Sequence, residues 1–582
     1  MKKPKNTRGA LLRVLAYIAD YKWTLLLVIV LSVLSNVLAL LGPKLAGAAI
    51  NEAAAGAGKV NFDNVFYYVK RMLVFYLGSS LLTILINVIM VNVSKWVGRN
   101  MRRDVFNKLM RLPVGYFDRN QAGDIISRVS YDIDVVSTCL ATDVTSILTS
   151  LVTVAGSLIM MLSISPVLSI VVVVTIPLSV GYTMWMRKQT QPRYARRSKN
   201  YGIMNGFAEE MLSGQKTIQA YAYEDKVCGN FDQVNRNAAD AYNDADYYGM
   251  TTGATMGCIN NISLALIAML GAALYMFGSV DLGQISSFVL YSRKFSGPIN
   301  EIANIVNELF SALAAAERVF KLLDEEEEPA DAENAAVLDH VDGHVELQHV
   351  HFGYLPDKIV LHDLSLDAQP GKLIAIVGPT GAGKTTIINL LMRFYDINSG
   401  QILVDDGEIR SYTRSSLRGA YAMVLQDTWV FKGTIFDNIA YGRPDATMDE
   451  VVAAAKAAHI HSFIMRLPDG YNTMISEDGG NISKGQKQLL TIARAMLYDA
   501  KMLILDEATS NVDTGTERQV QAAMRDLMRG KTCFTIAHRL STIQNADNIL
   551  VVDHGDVVEQ GTHESLMKQK GFYYKLYAAQ FE

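Results

Sequence analysis

The sequence predicts a two-part chain: an N-terminal all-α bundle of six membrane-spanning helices, then an α/β domain built around a phosphate-binding loop. Three observations carry this expectation. Half of the 582 residues are hydrophobic, mean hydropathy is +0.15, and the apolar residues crowd into about the first 320 positions, unlike a soluble protein. Six segments there approach the roughly 20 mainly apolar residues that cross about 30 Å of hydrocarbon. Further on, short β-branched runs such as LIAIVG and MLILD alternate with helical stretches, the pattern of a largely buried sheet.

Lys2, Lys3, Lys5 and Arg8 precede an apolar stretch that is too long for a signal peptide and lacks a small-residue cleavage site. Residues 8–21 read as an amphipathic helix in the membrane interface. Spans are expected at 23–41, 72–93, 146–163, 167–185, 259–277 and 285–309. The connection after the second carries Lys95, Arg99, Arg102, Arg103, Lys108 and Arg111, and that after the fourth Arg187, Lys188, Arg193, Arg196, Arg197 and Lys199. Those loops belong on the cytoplasmic side, which puts the N-terminus and the C-terminal domain there too. In the sixth span an isolated charge at Arg293 or Lys294 is costly in lipid, so both are expected to face a wet cavity or a partner helix. Asn300, Glu301, Asn304, Asn307 and Glu308 recur at helical spacing and form one polar face. That face reads equally as a lining for cationic amphiphiles or as interhelical hydrogen bonding.

The acidic run LLDEEEEPADAENAA reads as a solvated linker. The expected boundaries are therefore 1–320 for the membrane domain, 321–340 for the linker and 341–582 for the α/β domain. A net charge of −4 gives no global bias toward nucleic acid, and none is expected as a partner. Cys139, Cys228, Cys258 and Cys533 are scattered without CxxC spacing, so neither a disulfide framework nor a zinc site is expected.

The chemistry sits in the α/β domain. A strand at 373–377 runs into GPTGAGKTT: Gly378, Pro379, Thr380, Gly381, Ala382, Gly383, Lys384, Thr385 and Thr386. This is a complete phosphate loop opening a helix. Its glycines let backbone N–H groups turn toward phosphate, and the helix N-terminus adds its positive dipole end. Lys384 is expected on the β- and γ-phosphates and the Thr385 hydroxyl on Mg²⁺. The buried run in MLILDEATS delivers Asp506 beside the metal and Glu507 where it can orient or deprotonate an attacking water.

With these motifs in order, the chain resembles the ATP-binding cassette (ABC) family across the whole nucleotide domain. The resemblance implies that Tyr354 in VHFGY stacks on adenine and that Gln426 in VLQDTWVF senses Mg²⁺ and links to the membrane part. Ser483, Gly485 and Gln486 then form the signature loop, Asp513 the D-loop, and His538 in TIAHRLSTI the histidine that holds the γ-phosphate and the attacking water. The catalytic set is thus Glu507, His538 and Gln426, and the metal set Thr385, Gln426 and Asp506. ATP and Mg²⁺ are the implied cofactors.

The first 320 or so residues resemble the membrane domain of type IV ABC exporters, six long helices with cytoplasmic extensions, fused ahead of the cassette. YFDRNQAGDIISRVSYDID and EEMLSGQKTIQAYAYED match that family's two cytoplasmic loops, whose short helices fit grooves on the ATPase domains. Glu477 in SEDGG corresponds to the loop that couples signature motion to those helices. The family works with two cassettes closed head to tail, and one chain holds one cassette, so a second half-transporter chain is implied. Lys484 replaces the first glycine of the usual LSGGQ signature. Together with LMRFYDINSGQILVD and DEATSNVDTGTE, it resembles the catalytically complete half of bacterial heterodimeric multidrug exporters. The implied function is ATP-driven export of hydrophobic or amphipathic compounds across the plasma membrane by alternating access. The alternatives are a homodimeric exporter of a peptide or lipid, and an ATP-gated, channel-like ABC protein.

Overall fold

A computed structural model of the chain describes residues 7–54, 56, 59–355, 357–426, 428–476, 479–506, 514–536 and 540–581. The chain divides into two units, one of Met1–Met110 with Ala122–Glu325 and one of Arg111–Gln121 with Glu326–Glu582.

The first unit is helical. After the helix Thr7–Ala19 come the long helices Lys22–Ala53 and Phe62–Leu109. A run from Ala122 to Ile164 follows, interrupted by two π-helical segments, Arg128–Asp132 and Cys139–Asp143. The helices Pro166–Ser213, Glu224–Met276 and Leu282–Leu323 complete it. Among the described residues five helices are long and apolar enough to cross a membrane; Leu282–Leu323, which holds the sixth expected span, is not one of them. The helix Phe62–Leu109 has 48 residues and Glu224–Met276 has 53, so at ~1.5 Å per residue each reaches roughly 70–80 Å. Both run far beyond the apolar segments expected from the sequence, because hydropathy marks only the lipid-facing middle of such a helix.

Lys294 meets the membrane problem by a specific partner. Pro43 lies inside the helix Lys22–Ala53 and has no N–H to give to the carbonyl four residues back, that of Ala39. The Lys294 Nζ donates to this freed Ala39 oxygen at 3.0 Å. Tyr291 adds a bond to the Leu40 carbonyl at 2.5 Å, and Ser287 one to the Pro43 carbonyl at 2.9 Å. Of the wet cavity and the partner helix expected for this lysine, Lys294 thus meets a helix. Arg293 is exposed, and the side chains of Asn300, Glu301, Asn304 and Asn307 lie outside those described.

The second unit is built on one ten-stranded sheet. Its parallel centre runs Tyr421–Val424, Met502–Asp506, Thr532–Ile536, Leu373–Val377 and Asn548–Asp553 in spatial order. These strands are nearly continuous apolar runs because helices cover both faces. Asp556–Gly561 turns back antiparallel to Asn548–Asp553, and beyond it lie Leu361–Ala368, Val345–Phe352 and Ser399–Val404. There burial alternates, as in a sheet with one wet face. A second core packs the helices Ile435–Ala440, Met448–Ala457 and Lys484–Tyr498 together.

The acidic stretch is only partly the solvated linker expected. Glu328 pairs with Arg418 at 2.5 Å, and Asp331 with Arg414 at 3.0 Å, with the Arg414 side chain 8% exposed. These two carboxylates fasten the segment to the α/β unit, which a run of like charge conceals in sequence. All four cysteines are free, and burial pushes the Cys533 thiol up to about 12, so it stays an inert core group.

Candidate nucleotide site

The parallel register gathers the expected residues at one end of the sheet. Ile536 lies opposite Ile376 on one side and opposite Asp506 on the other, and Val424 lies opposite Leu505. The strand tips therefore deliver Gly378, Asp506 and Gln426 to the carboxyl edge, where open parallel sheets bind ligands.

Between Val377 and the helix Lys384–Leu391 the chain makes the phosphate loop. Gly381 and Gly383 hold φ of +83° and +107°, a region that side chains strain to enter. This curl points the loop inward and leaves the helix's first N–H groups without intrahelical partners, ready for phosphate. The ammonium of Lys384 is folded back over the loop, donating to the carbonyls of Gly378 at 2.8 Å and Pro379 at 2.9 Å. Burial lowers its pKa, and the charge of Asp506 opposes that shift. Thr385 is exposed and Thr386 is buried, while Pro379 and Thr380 lie at the surface. Asp506 is half-buried at its strand tip, and Gln426 is exposed. A carboxylate, a hydroxyl and an amide oxygen form a hard-oxygen set of the kind that suits Mg²⁺.

Tyr354, expected on adenine, is held by contacts within this unit. Its hydroxyl donates to Thr386 Oγ1 at 3.1 Å, which seats the ring at the start of the phosphate-loop helix with 43% of the residue still exposed. Its ring meets Tyr395 edge-on, with centroids 4.9 Å apart. Tyr395 in turn donates to Asp118 Oδ2 at 2.5 Å, on the short helix Val114–Arg119. Gly115 of that helix leaves no room for a side chain against the Tyr395 ring. Burial first, and then the Asp118 carboxylate, raise the Tyr395 pKa, so its hydroxyl remains a donor. Nothing in the RFYD stretch itself marks Tyr395 for this contact.

This aromatic link predicts a coupling defect. Tyr395→Phe keeps the ring but removes a bond worth about 1 kcal/mol, roughly fivefold in the docked population. The expected outcome is basal ATPase within about twofold of wild type and stimulation by transported compounds reduced severalfold. ATPase assays with and without a transported dye measure this; unchanged stimulation would refute the link.

At the signature, Ser483 caps the helix Lys484–Tyr498 and accepts from the Gln486 N–H, while Gln486 Oε1 accepts from the Ser483 N–H at 2.8 Å. This reciprocal box fixes the loop. Gly485 is buried, and Lys484, the first helical residue, is exposed. Glu507, Asp513, His538 and Glu477 lie outside the described residues.

Comparison with known proteins accords with this geometry. Residues 25–299 match the family described as ABC transporter transmembrane region, and residues 361–510 the family described as ABC transporter. An uncharacterized ABC transporter ATP-binding protein of Bacillus subtilis is 42% identical over 584 residues, covering 100% of this chain and 96% of that one. A fatty acid ABC transporter ATP-binding/permease protein of Mycobacterium tuberculosis is 46% identical over 476 residues, 82% of this chain and 75% of the relative. A solved bacterial Atm1-family ABC exporter with ATP bound superposes with a TM-score of 0.76 at 28% identity, covering 97% of this chain and 99% of that one.

Proposed function

This chain belongs to the ABC transporter family, as a multi-pass, exporter-type half-transporter that couples ATP hydrolysis to transport, and from that premise we propose that it moves hydrophobic or amphipathic compounds outward across the plasma membrane as one half of a heterodimer. The observation that carries the reading is the convergence of the phosphate loop, Asp506 and Gln426 on one sheet edge, in a chain whose other unit is a bundle of membrane-length helices.

In the proposed cycle Lys384 exchanges the Gly378 and Pro379 carbonyls for the β- and γ-phosphates of ATP. Tyr354 carries the adenine. Thr385, Asp506 and Gln426 would hold Mg²⁺, which supplies charge neutralisation at the phosphates. Glu507 positions the attacking water and takes its proton, and His538 holds the γ-phosphate. Ser483, Gly485, Gln486 and Asp513 complete the site across the dimer, facing the nucleotide bound to the partner chain.

Two features support a second chain. There is one cassette here, and the short helix Gln215–Ala220 of the second cytoplasmic loop buries none of its residues within this chain. Lys484 supports a non-identical partner, since a cation replaces the signature glycine while the acid and histidine positions are intact. An amphiphilic substrate is supported by the relatives, which include the mycobacterial fatty acid transporter and an ATP-dependent lipid A-core flippase of Methylobacillus flagellatus, 33% identical over 99% of this chain.

The test is ATP-driven accumulation of a hydrophobic dye in inside-out vesicles carrying the affinity-purified complex. Uphill uptake is expected, and equilibration alone would favour the channel-like alternative. Mass spectrometry of the same complex should find a second half-transporter in a 1:1 ratio; a single chain species would make it a homodimer.

A further inference from the structure

Within the membrane unit, the helices Lys22–Ala53, Phe62–Leu109 and Val144–Ile164, with the π segment before the last, line an open cavity of about 430 Å³. Ser35, on its wall, lies 13 residues into a 32-residue helix, roughly 20 Å from its start and so near mid-membrane. Of the fourteen residues on the wall nine carry hydroxyls, two are asparagines and none is ionisable. A cavity of this size and depth in an exporter is a substrate-sized space.

The hydroxyls have a direction. Thr83 donates to the Ser79 carbonyl at 2.9 Å, Ser35 to the same carbonyl at 3.0 Å, and Thr145 to the Ala141 carbonyl at 2.9 Å. These three hydroxyls reach backbone carbonyls and keep lone pairs to accept with, and Ser35 also lies 3.1 Å from the hydroxyls of both Ser79 and Thr83. Asn36 is fixed as well, donating to the Ser32 carbonyl and accepting from Thr153. Ser32 is on the wall and only 2% exposed, and its buried hydroxyl has no partner. A buried polar atom left unpaired calls for an explanation, and a ligand in this cavity supplies one.

The wall thus offers hydroxyls and amides and carries no ionisable side chain. A carboxylate or phosphate would find no cation on this wall, and the carboxylate nearest a quaternary ammonium, that of Asp143, accepts from Thr142 at 2.8 Å. We propose that this cavity binds the neutral, hydroxyl-bearing head group of an amphiphile, with O–H donors of the ligand meeting the Thr83 and Thr145 oxygens and Ser32 completing the set. The proposal rests on the exporter reading for its amphiphilic tail and deepens it by naming the head group.

The test uses the full complex in phosphatidylcholine nanodiscs with a photoreactive dodecanoyl monoglyceride, and locates the crosslink by peptide mass spectrometry. Labelling is expected on the three wall helices. Unlabelled 1-monolauroylglycerol should compete at a concentration about tenfold below that of laurate or dodecyltrimethylammonium, which share the tail. Thr83→Val and Ser32→Ala should each cut labelling at least fivefold with ATP affinity unchanged. Thr149→Arg, on the exposed part of the wall, should reverse the preference toward laurate. Labelling elsewhere, equal competition by the three heads, or full labelling of both hydroxyl-deleted variants would overturn the proposal. Because crosslinking needs no turnover, failure of uphill transport would count against the exporter reading alone.

Discussion

Glu507→Gln is expected to lower ATP turnover by about 10²–10⁴-fold, the range that a positioned general base supplies, while leaving ATP affinity near wild type. Glu507 directly follows Asp506, the last residue of the strand Met502–Asp506. The parallel register places that strand tip beside the tip from which the phosphate loop leaves, with Thr532–Ile536 between them. The amide is nearly isosteric with the acid and can still bind water, but it cannot accept the proton. One negative charge near the nucleotide phosphates is also removed, so nucleotide binding should be retained or tightened. The purified complex should therefore hold ATP stoichiometrically after desalting and show single-turnover rates depressed as much as steady-state ones. Turnover within about threefold of wild type would remove Glu507 from the base role. In the proposed heterodimer, substitution in this chain alone should suffice, and equal dependence on the partner's residue would argue for two competent sites.

The parts of this protein legible from sequence are those whose function lies in contiguous chain. The phosphate loop needs glycines at set positions between a strand and a helix, so nine consecutive residues determine both shape and chemistry. Asp506 was legible for a similar reason, since a buried run can present a carboxylate only at its end. The bond from Tyr395 to Asp118 joins residues 277 positions apart, and each looks ordinary where it stands. Lys294 resisted in a different way. Its charge was conspicuous, but its partner is a carbonyl freed by Pro43, some 250 residues earlier in the chain, and a missing hydrogen bond leaves no mark on composition. The hydroxyl-lined cavity was illegible because Ser and Thr are unremarkable in membrane helices; only the packing of three helices reveals that nine of them share one wall.

Lys384→Ala is expected to weaken ATP binding by about 2–4 kcal/mol, which raises Kd roughly 30- to 1000-fold. In the free loop the ammonium holds the Gly378 and Pro379 carbonyls, so removal affects both states. Without ligand, two carbonyls lose their cation and the loop loosens; with ligand, the β- and γ-phosphates lose their charge-assisted donors. The second loss dominates, because the carbonyls sit at a partly exposed edge where water replaces the lysine, whereas phosphate charge inside the loop has no equivalent solvation. Burial already lowers the Lys384 pKa, so the ammonium is incompletely solvated before ATP arrives and gains from an anionic partner. Lys384→Arg should not rescue, since a planar guanidinium demands a fork geometry that this tight loop does not offer. Titration with a fluorescent ATP analogue measures both variants, and the melting temperature of the complex without nucleotide should change little. A Kd within threefold of wild type for Lys384→Ala would mean that the backbone N–H groups and helix terminus hold the phosphates unaided, and that the lysine acts only in the hydrolysis step.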